Sequence, residues 1–337
     1  MNDQRKHTIR CALLRLAAVW TAVGAALALP TGQAVAQEWP TKTVRIIVPA
    51  PGGASDALAR ILAPRLEAIW KQPVIVENKP GAGGVIGTEY VVASTDGHTL
   101  LMGTQSSLIP KYTQKSLRYD PLTDIVPVYK LINYQMVIAT NAQTAGSGKT
   151  LADVVALSKA DDKGLFFAGF GATGVFNLSM ALLNQSMGIR YSTIDFNNIG
   201  ALTLALLRND TQLSLNTTSA FKQHIDAGTV KALAVASHER YASLPDVPTI
   251  YEAVNYKGYL PVMWSGIFVP KGTPTRVIDR IGRDLLALAV EPAVKKQIES
   301  AISGSVPRSS PDTFAKEFRE EADIWKGLIP TLNIKPE

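Results

Sequence analysis

The chain has 337 residues, 46% hydrophobic and 18% charged, a composition that builds one or two sizeable buried cores and excludes a disordered polymer. Its 34 basic and 28 acidic residues give a net charge of +6, and no run of Lys and Arg resembles a nucleic-acid-binding stripe. One cysteine excludes a disulfide framework and a cysteine-rich zinc site, and four scattered histidines argue against a His-based metal site.

The N-terminus carries an export signature. Arg5, Lys6, Arg10 and Arg15 form a basic head, residues 16–29 are free of charge, and Ala34-Val35-Ala36 closes the segment with small residues. This is the pattern of a secretory signal peptide over 1–36, with cleavage expected after Ala36. The apolar stretch falls short of the roughly 20 residues that a membrane span needs. Cleavage lowers the net charge from +6 to +3 and removes Cys11, leaving a thiol-free chain suited to an oxidising compartment. The expectation is a soluble periplasmic protein.

Beyond the signal, short apolar runs alternate with helical periodicity. Residues 44–48 (VRIIV) are rich in β-branched side chains and read as a buried strand. A helix is expected over 54–70, with Leu58, Ile61, Leu62, Leu66 and Ile69 on one face and Pro64 as a kink or early boundary. Residues 74–76 read as a second strand, 78–84 as a glycine-rich loop, 85–93 as a helix, 99–103 as a third strand and 104–107 as a polar loop. The scheme repeats with strands at 137–140, 165–168, 213–215 and 232–236, helices at 150–160, up to Met187 and at 202–208, and a glycine-rich turn at 169–174. A strand at 266–269 precedes a helical end. Thr273-Pro274 is expected as a cap and first-turn proline, Pro292 opens a short helix, and Ser310-Pro311 opens the last. Phe314, Phe318, Trp325 and Ile329 in that last helix have the spacing of core residues. The alternation argues for two α/β units, each a parallel sheet with helices on both faces.

Familiar chemical motifs fail on inspection. Gly146-Ser147-Gly148-Lys149-Thr150 ends like a phosphate-binding loop but has Gln143 where the first glycine is required, so Thr150 reads as the cap of the next helix. In Gly81-Ala82-Gly83-Gly84-Val85-Ile86-Gly87 the last glycine of a dinucleotide fingerprint arrives one residue late. No G-x-S-x-G elbow occurs, and His98, His224 and His238 have no nucleophile partner in view. What remains is a recurrence. Loops at 50–55, 81–87 and 169–174 each leave a strand, are small and glycine-rich, and open a helix whose unpaired N–H groups attract anions. Each is also compatible with a plain tight turn. Three of them in two α/β units suggest an anion held between two lobes.

Long ordered blocks add a family. Trp39-Pro40, VRIIVPAPGGASDALAR at 44–60, PVIVENKPGAGGVIG at 73–87, DGHTLL at 96–101, VKALAVASHERYASLPDVPTIYEA at 230–253, Trp264-Ser265-Gly266 and the stretch 269–274 run through nearly all of 38–330. In these blocks the chain resembles the tripartite tricarboxylate transporter substrate-binding receptors, also called the Bug family. The resemblance implies an α/β, two-lobed periplasmic-binding-protein fold of the type II, Venus flytrap kind, each lobe a mainly parallel sheet flanked by helices. Lobe 1 would be 38–137 plus 262–337 and lobe 2 would be 138–261. It also implies capture of a small organic acid, a mono- or dicarboxylate, for an inner-membrane permease, with no cofactor, no metal, no catalytic residue and no nucleic acid, by a monomer. A secreted α/β enzyme acting on a small acid, or a sensor-linked binding subunit, would be the alternatives.

Residue by residue, the first loop matches the family at Pro51, Gly52, Gly53, Ser55 and Asp56, which makes Gly53, Ala54 and Ser55 expected ligand contacts. The second matches at Gly81, Ala82, Gly83, Gly84 and Gly87, with Gly83 and Gly84 expected at the ligand. Thr104, Gln105 and Ser106 resemble a third ligand-facing loop. In the second lobe, Phe170, Gly171 and Thr173 stand in the family's serine-and-glycine loop, and Asn198 and Asn216 complete the expected contacts. Departures lie here. Asn177 occupies a usual histidine position, Phe196-Asn197-Asn198 replaces Tyr-x-Gly, and Asn209-Asp210-Thr211-Gln212 replaces Gly-x-Val-Asp. Phe170, Phe196 and Asn198 are expected to favour a flat or aromatic acid, and Arg190 or Arg208 is placed near the mouth.

Overall fold

The computed structural model describes residues 38–332, except 147, 148, 161, 172, 173 and 197. The expected signal peptide, its cleavage point and the expected contact Thr173 lie outside the described residues. The first strands and helices are β1 (Val44–Val48), α1 (Ala54–Trp70), β2 (Val74–Asn78), α2 (Val85–Val92), β3 (Thr99–Thr104), β4 (Ile125–Tyr134) and β5 (Met136–Asn141). Next come α3 (Leu151–Ala160), β6 (Leu165–Phe170), α4 (Val175–Met187), β7 (Tyr191–Phe196), α5 (Ile199–Leu207), β8 (Leu213–Thr217), α6 (Thr218–Asp226) and β9 (Val230–Val235). The chain ends with β10 (Trp264–Pro270), α7 (Thr275–Val290), α8 (Pro292–Ile302), β11 (Gly304–Ser305) and α9 (Pro311–Leu328).

Among the described residues the strands form two sheets, ordered β11-β4-β10-β3-β1-β2 and β7-β6-β8-β5-β9. Within each, one triplet is parallel: β2-β1-β3 in the first and β7-β6-β8 in the second. The remaining pairs, including β10 with β3 and β5 with β8, are antiparallel. The fold is the expected two-lobed α/β type, but its sheets are mixed rather than mainly parallel. Parallel pairing needs a helical crossover, and the strands that carry the chain from one sheet to the other lack one. The chain passes from the first sheet to the second at Gln135, between β4 and β5, and returns between β9 and β10.

The core follows from the pattern. Val44, Ile46, Ile47 and Val48 are fully buried beneath Leu58, Leu62 and Leu66 of α1. The C-terminal helices complete this first sheet, with α7 and α9 against β4 and α8 against α1. The aromatic spacing in α9 is core as expected: Phe314 and Phe318 pack on Phe268 with ring centroids 5.0 and 5.2 Å away. Gly266 makes room for them, since a Cβ there would lie 2.5 Å from the Phe314 ring. Ser310 opens α9 with a full capping box. Thr150 bonds the Asp153 N–H at 3.3 Å, as expected for a cap.

Several elements differ from expectation. Helix α1 runs through Pro64, which sits on the exposed face where water can serve the carbonyl left without its N–H. Pro274 rather than Thr273 is the N-cap of α7, and Thr273 Oγ donates to the Pro270 carbonyl at 2.7 Å instead. Strand β4 was hidden by Pro127, which the sheet tolerates because the register with β10 shifts beside it, between Ile267 and Phe268. Strand β7 is a mostly exposed edge strand without apolar alternation. Helix α6 is short and polar.

One charged cluster ties β1 to the turn before β3. Arg45 donates to Asp96 at 2.8 Å, and Asp96 also accepts from Ser94, Thr99 and the His98 N–H. His98 is buried, with Nε2 accepting from the Thr41 N–H at 3.0 Å, so Nδ1 carries the proton toward the Asp96 carbonyl. Against the cost of partial burial, the His98 N–H, Arg45 and the two hydroxyls hold the Asp96 carboxyl down at about 2. A depressed carboxyl stabilises the fold above its unfolded value and loses that contribution as pH falls toward 2. Asp96→Asn is therefore expected to cost about 1–2 kcal/mol near neutral pH, given the partial exposure of the pair. The gap between wild type and variant in urea unfolding should close as pH is lowered from about 4 to about 2.

Candidate functional site

The carboxyl ends of the two parallel triplets face one cleft of about 830 Å³. The loops after β1, β2 and β3 supply one wall, and the segments after β6, β7 and β8 supply the other. Such ends are where open α/β sheets leave a crevice, because successive loops diverge there. Gly53, Ala54, Ser55, Gly83, Gly84, Thr104, Gln105 and Ser106 line the first wall. Phe170, Gly171, Asn198 and Asn216 line the second, so every expected contact that is described reaches the cleft.

Among the described residues, the helices that open into this space without a side-chain cap are α1 at Gly53, α2 at Gly84, α4 at Gly174 and α6 at Thr217. The helix at Ile250–Val254 and α9 close their ends with capping boxes, while α7 and α8, away from the cleft, also begin without a side-chain cap. The first-turn N–H groups of an uncapped helix are donors seeking an acceptor. Asp56 in the first turn of α1 does not compete. Its carboxylate accepts from Asn78 at 2.9 Å, Arg60 at 3.2 Å and the Gly52 N–H at 3.3 Å. Despite partial burial, those bonds hold it below the ordinary carboxylate range, and they fix the loop ahead of the helix.

The walls carry no Lys, Arg, His, Asp or Glu among the described lining residues. Tyr134 is ionisable in principle, but burial pushes its phenol up, and it shares a 2.6 Å hydrogen bond with Ser265. Arg190 and Arg208, expected near the mouth, lie elsewhere. Each precedes a strand, at the amino end of the second sheet, and Arg190 pairs with Asp162 at 3.5 Å. The polar work falls to hydroxyls, amides and backbone. Asn216 is 1% exposed; its Oδ1 accepts from the Thr217 N–H at 2.7 Å, while its Nδ2 has no partner among the described residues. Asn198 Oδ1 caps α5 through the Ala201 N–H at 2.8 Å. Asn177, at the family's histidine position, accepts from the Phe170 N–H and donates to the Gly171 carbonyl, fixing the loop that carries both residues.

Sequence reasoning missed Thr217, Ser219 and Ala220, which lie at the start of α6, a helix of nine mostly polar residues. It also missed Phe176, which meets Phe170 edge-on at 6.2 Å and with Phe196 forms an apolar wall. Two loops that the sequence treated separately are interlocked. Gly84 has φ near 103°, and a Cβ there would lie 2.8 Å from Ser106 Oγ. Gly84→Ala is expected to cost about 1–3 kcal/mol in thermal or urea unfolding through this strained backbone. It should also displace Ser106, measurable as a changed backbone amide resonance.

Comparison with known proteins places the chain. The model of the "Tripartite tricarboxylate transporter family receptor" matches residues 58–334. The periplasmic binding protein BugD superposes with a TM-score of 0.81 at 27% identity, covering 89% of this chain and all of that one. Rpa4515 of R. palustris, solved with adipate, gives 0.82 at 25% identity with the same coverage. MatC from Rhodopseudomonas palustris, solved with bound malate, gives 0.78 at 27% identity, covering 86% of this chain and all of that one. With its sheets, its cleft and these likenesses in agreement, the chain belongs to the tripartite tricarboxylate transporter receptor family.

Proposed function

We propose that this receptor captures a small organic acid in the cleft, in the periplasm, and presents it to an inner-membrane permease without chemical change. The observation that carries the reading is the set of helix N-termini without a side-chain cap, α1 and α2 on one wall and α4 and α6 on the other, around a space whose described lining residues bear no formal charge. A carboxylate there accepts from backbone N–H groups and from hydroxyls such as Ser55 and Ser219. Charge-assisted bonds of this kind contribute about 1.5–3 kcal/mol each, and each helix end adds about 0.3–2 kcal/mol. The likeness to proteins solved with adipate and malate supports a carboxylate.

The phenyl wall of Phe170, Phe176 and Phe196 supports a ligand with a hydrocarbon or aromatic body between polar ends. The lobes are taken as 38–137 plus 262–337 and 138–261, with Met136 and Val137 moved to the second because they lie in β5. Closure bends the two crossover segments, and the closed surface is what a permease reads. The protein acts as a monomer, and export through the cleavable signal places it in the periplasm.

The test is thermal unfolding with malate, adipate and an aromatic dicarboxylate. A bound acid at 100 times its Kd should stabilise the fold by about 2.7 kcal/mol. Ser55→Leu and Asn216→Leu should abolish that shift while leaving the apo transition in place. If neither variant changes the response, the acid binds elsewhere. If no acid shifts wild type, the carboxylate reading fails.

A further inference from the structure

The cleft wall rests on a carboxylate that lies behind it. Gln105 lines the cleft, is fully buried, and spends its side chain inward. Its Nε2 donates to the Val262 carbonyl at 2.7 Å, and its Oε1 accepts from the Trp264 N–H at 3.3 Å. Trp264 also lines the cleft, and its indole N–H points away to Glu321 Oε2 on α9, at 2.5 Å. Glu321 Oε1 takes a second indole N–H, from Trp325, at 3.1 Å. One carboxyl group thus holds Trp264 in the segment that re-enters the first sheet at β10, and the Trp264 backbone in turn holds Gln105 of the loop after β3. It does so from a helix more than fifty residues further along the chain.

We propose that Glu321 is a positioning residue for ligand capture: its carboxylate fixes Trp264, and through the Trp264 backbone Gln105 and the first wall of the cleft, against the returning crossover at Val262. This rests on the cleft being the binding site. Besides the two indoles, a small cavity of about 200 Å³ beside Glu321 brings further titratable groups near it. Lys130, Glu317, Glu320 and Tyr259 line that cavity along with Trp264. Lys130 is held by Glu317 at 2.8 Å, and burial keeps the Tyr259 phenol neutral, pushed up to about 12. Burial raises Glu321 above the ordinary glutamate value, the two indole donors and Lys130 pulling the other way. On acidification the carboxyl becomes neutral and accepts more weakly, so both indoles should sense the event directly and the Gln105 amide should sense it through the Trp264 backbone.

The experiment reads those groups directly. In ¹⁵N-labelled apo protein, the Trp264 and Trp325 indole resonances and the Gln105 side-chain amide are followed from pH 8 to 4. The expected result is one shared transition with a midpoint above about 4.3, the ordinary glutamate value, absent in Glu321→Gln. At pH 7, Glu321→Gln and Glu321→Leu should each weaken adipate binding at least fivefold while melting within a few degrees of wild type. The leucine variant separates positioning from packing, because an apolar replacement of a buried charge commonly preserves stability. Independent titration of the three resonances, or wild-type adipate affinity in both variants, overturns the proposal. Wild-type protein that ignores adipate would instead count against the carboxylate reading, and the apo resonances would then decide the role of Glu321.

Discussion

Everything in this molecule turns on leaving helix N-termini unfinished. A buried N–H without an acceptor costs free energy, and most helices close their ends with a side chain. Here α1, α2, α4 and α6 begin at Gly53, Gly84, Gly174 and Thr217 with no side-chain cap, at one end of each sheet. The parallel triplets make this possible, because parallel strands present all their carboxyl ends, and the helices that follow, on the same side. Placing two such ends across a cleft turns an unsatisfied backbone into a recognition surface.

Among the described residues the side chains nearest these helix ends are engaged elsewhere, and none caps α1, α2, α4 or α6. Asp56, in the first turn of α1, is occupied by Asn78, Arg60 and Gly52. Asn198 and Asn177 spend their carbonyl oxygens on local backbone, which sets loop shape. Gln105 looks like a ligand contact in the sequence, yet its amide is committed to Val262 and Trp264. A residue can line a cleft and still act by holding its neighbours in place.

Much of this was legible in the residues, for identifiable reasons. Residues 44–48 and 54–70 announce themselves because β-branched and amphipathic patterns persist long enough to be read. The loops at 50–55, 81–87 and 169–174 are visible because glycine is required where backbone must approach closely. At Gly84 that need is both a positive φ and the nearness of Ser106. Strand β4 was obscured by Pro127, whose tolerance depends on a register shift with a strand more than a hundred residues away. Helix α6 is short and mostly polar and strand β7 is mostly exposed, so neither carries the long apolar run that marks the other elements. The Trp264–Glu321 contact joins segments 57 residues apart, and no spacing rule links an indole to a carboxylate at that distance.

The absence of formal charge from the described cleft walls has a kinetic side. Long-range steering of an anion needs net charge at the mouth, and salt screens it over about 8–10 Å. Dipoles act over a shorter reach, inside the distance at which mobile ions intervene. A trap built from peptide dipoles therefore gives up acceleration of encounter and gains indifference to ionic strength. Backbone amides are lost only on substitution by proline, so the lining side chains can diverge while the means of gripping an anion persists.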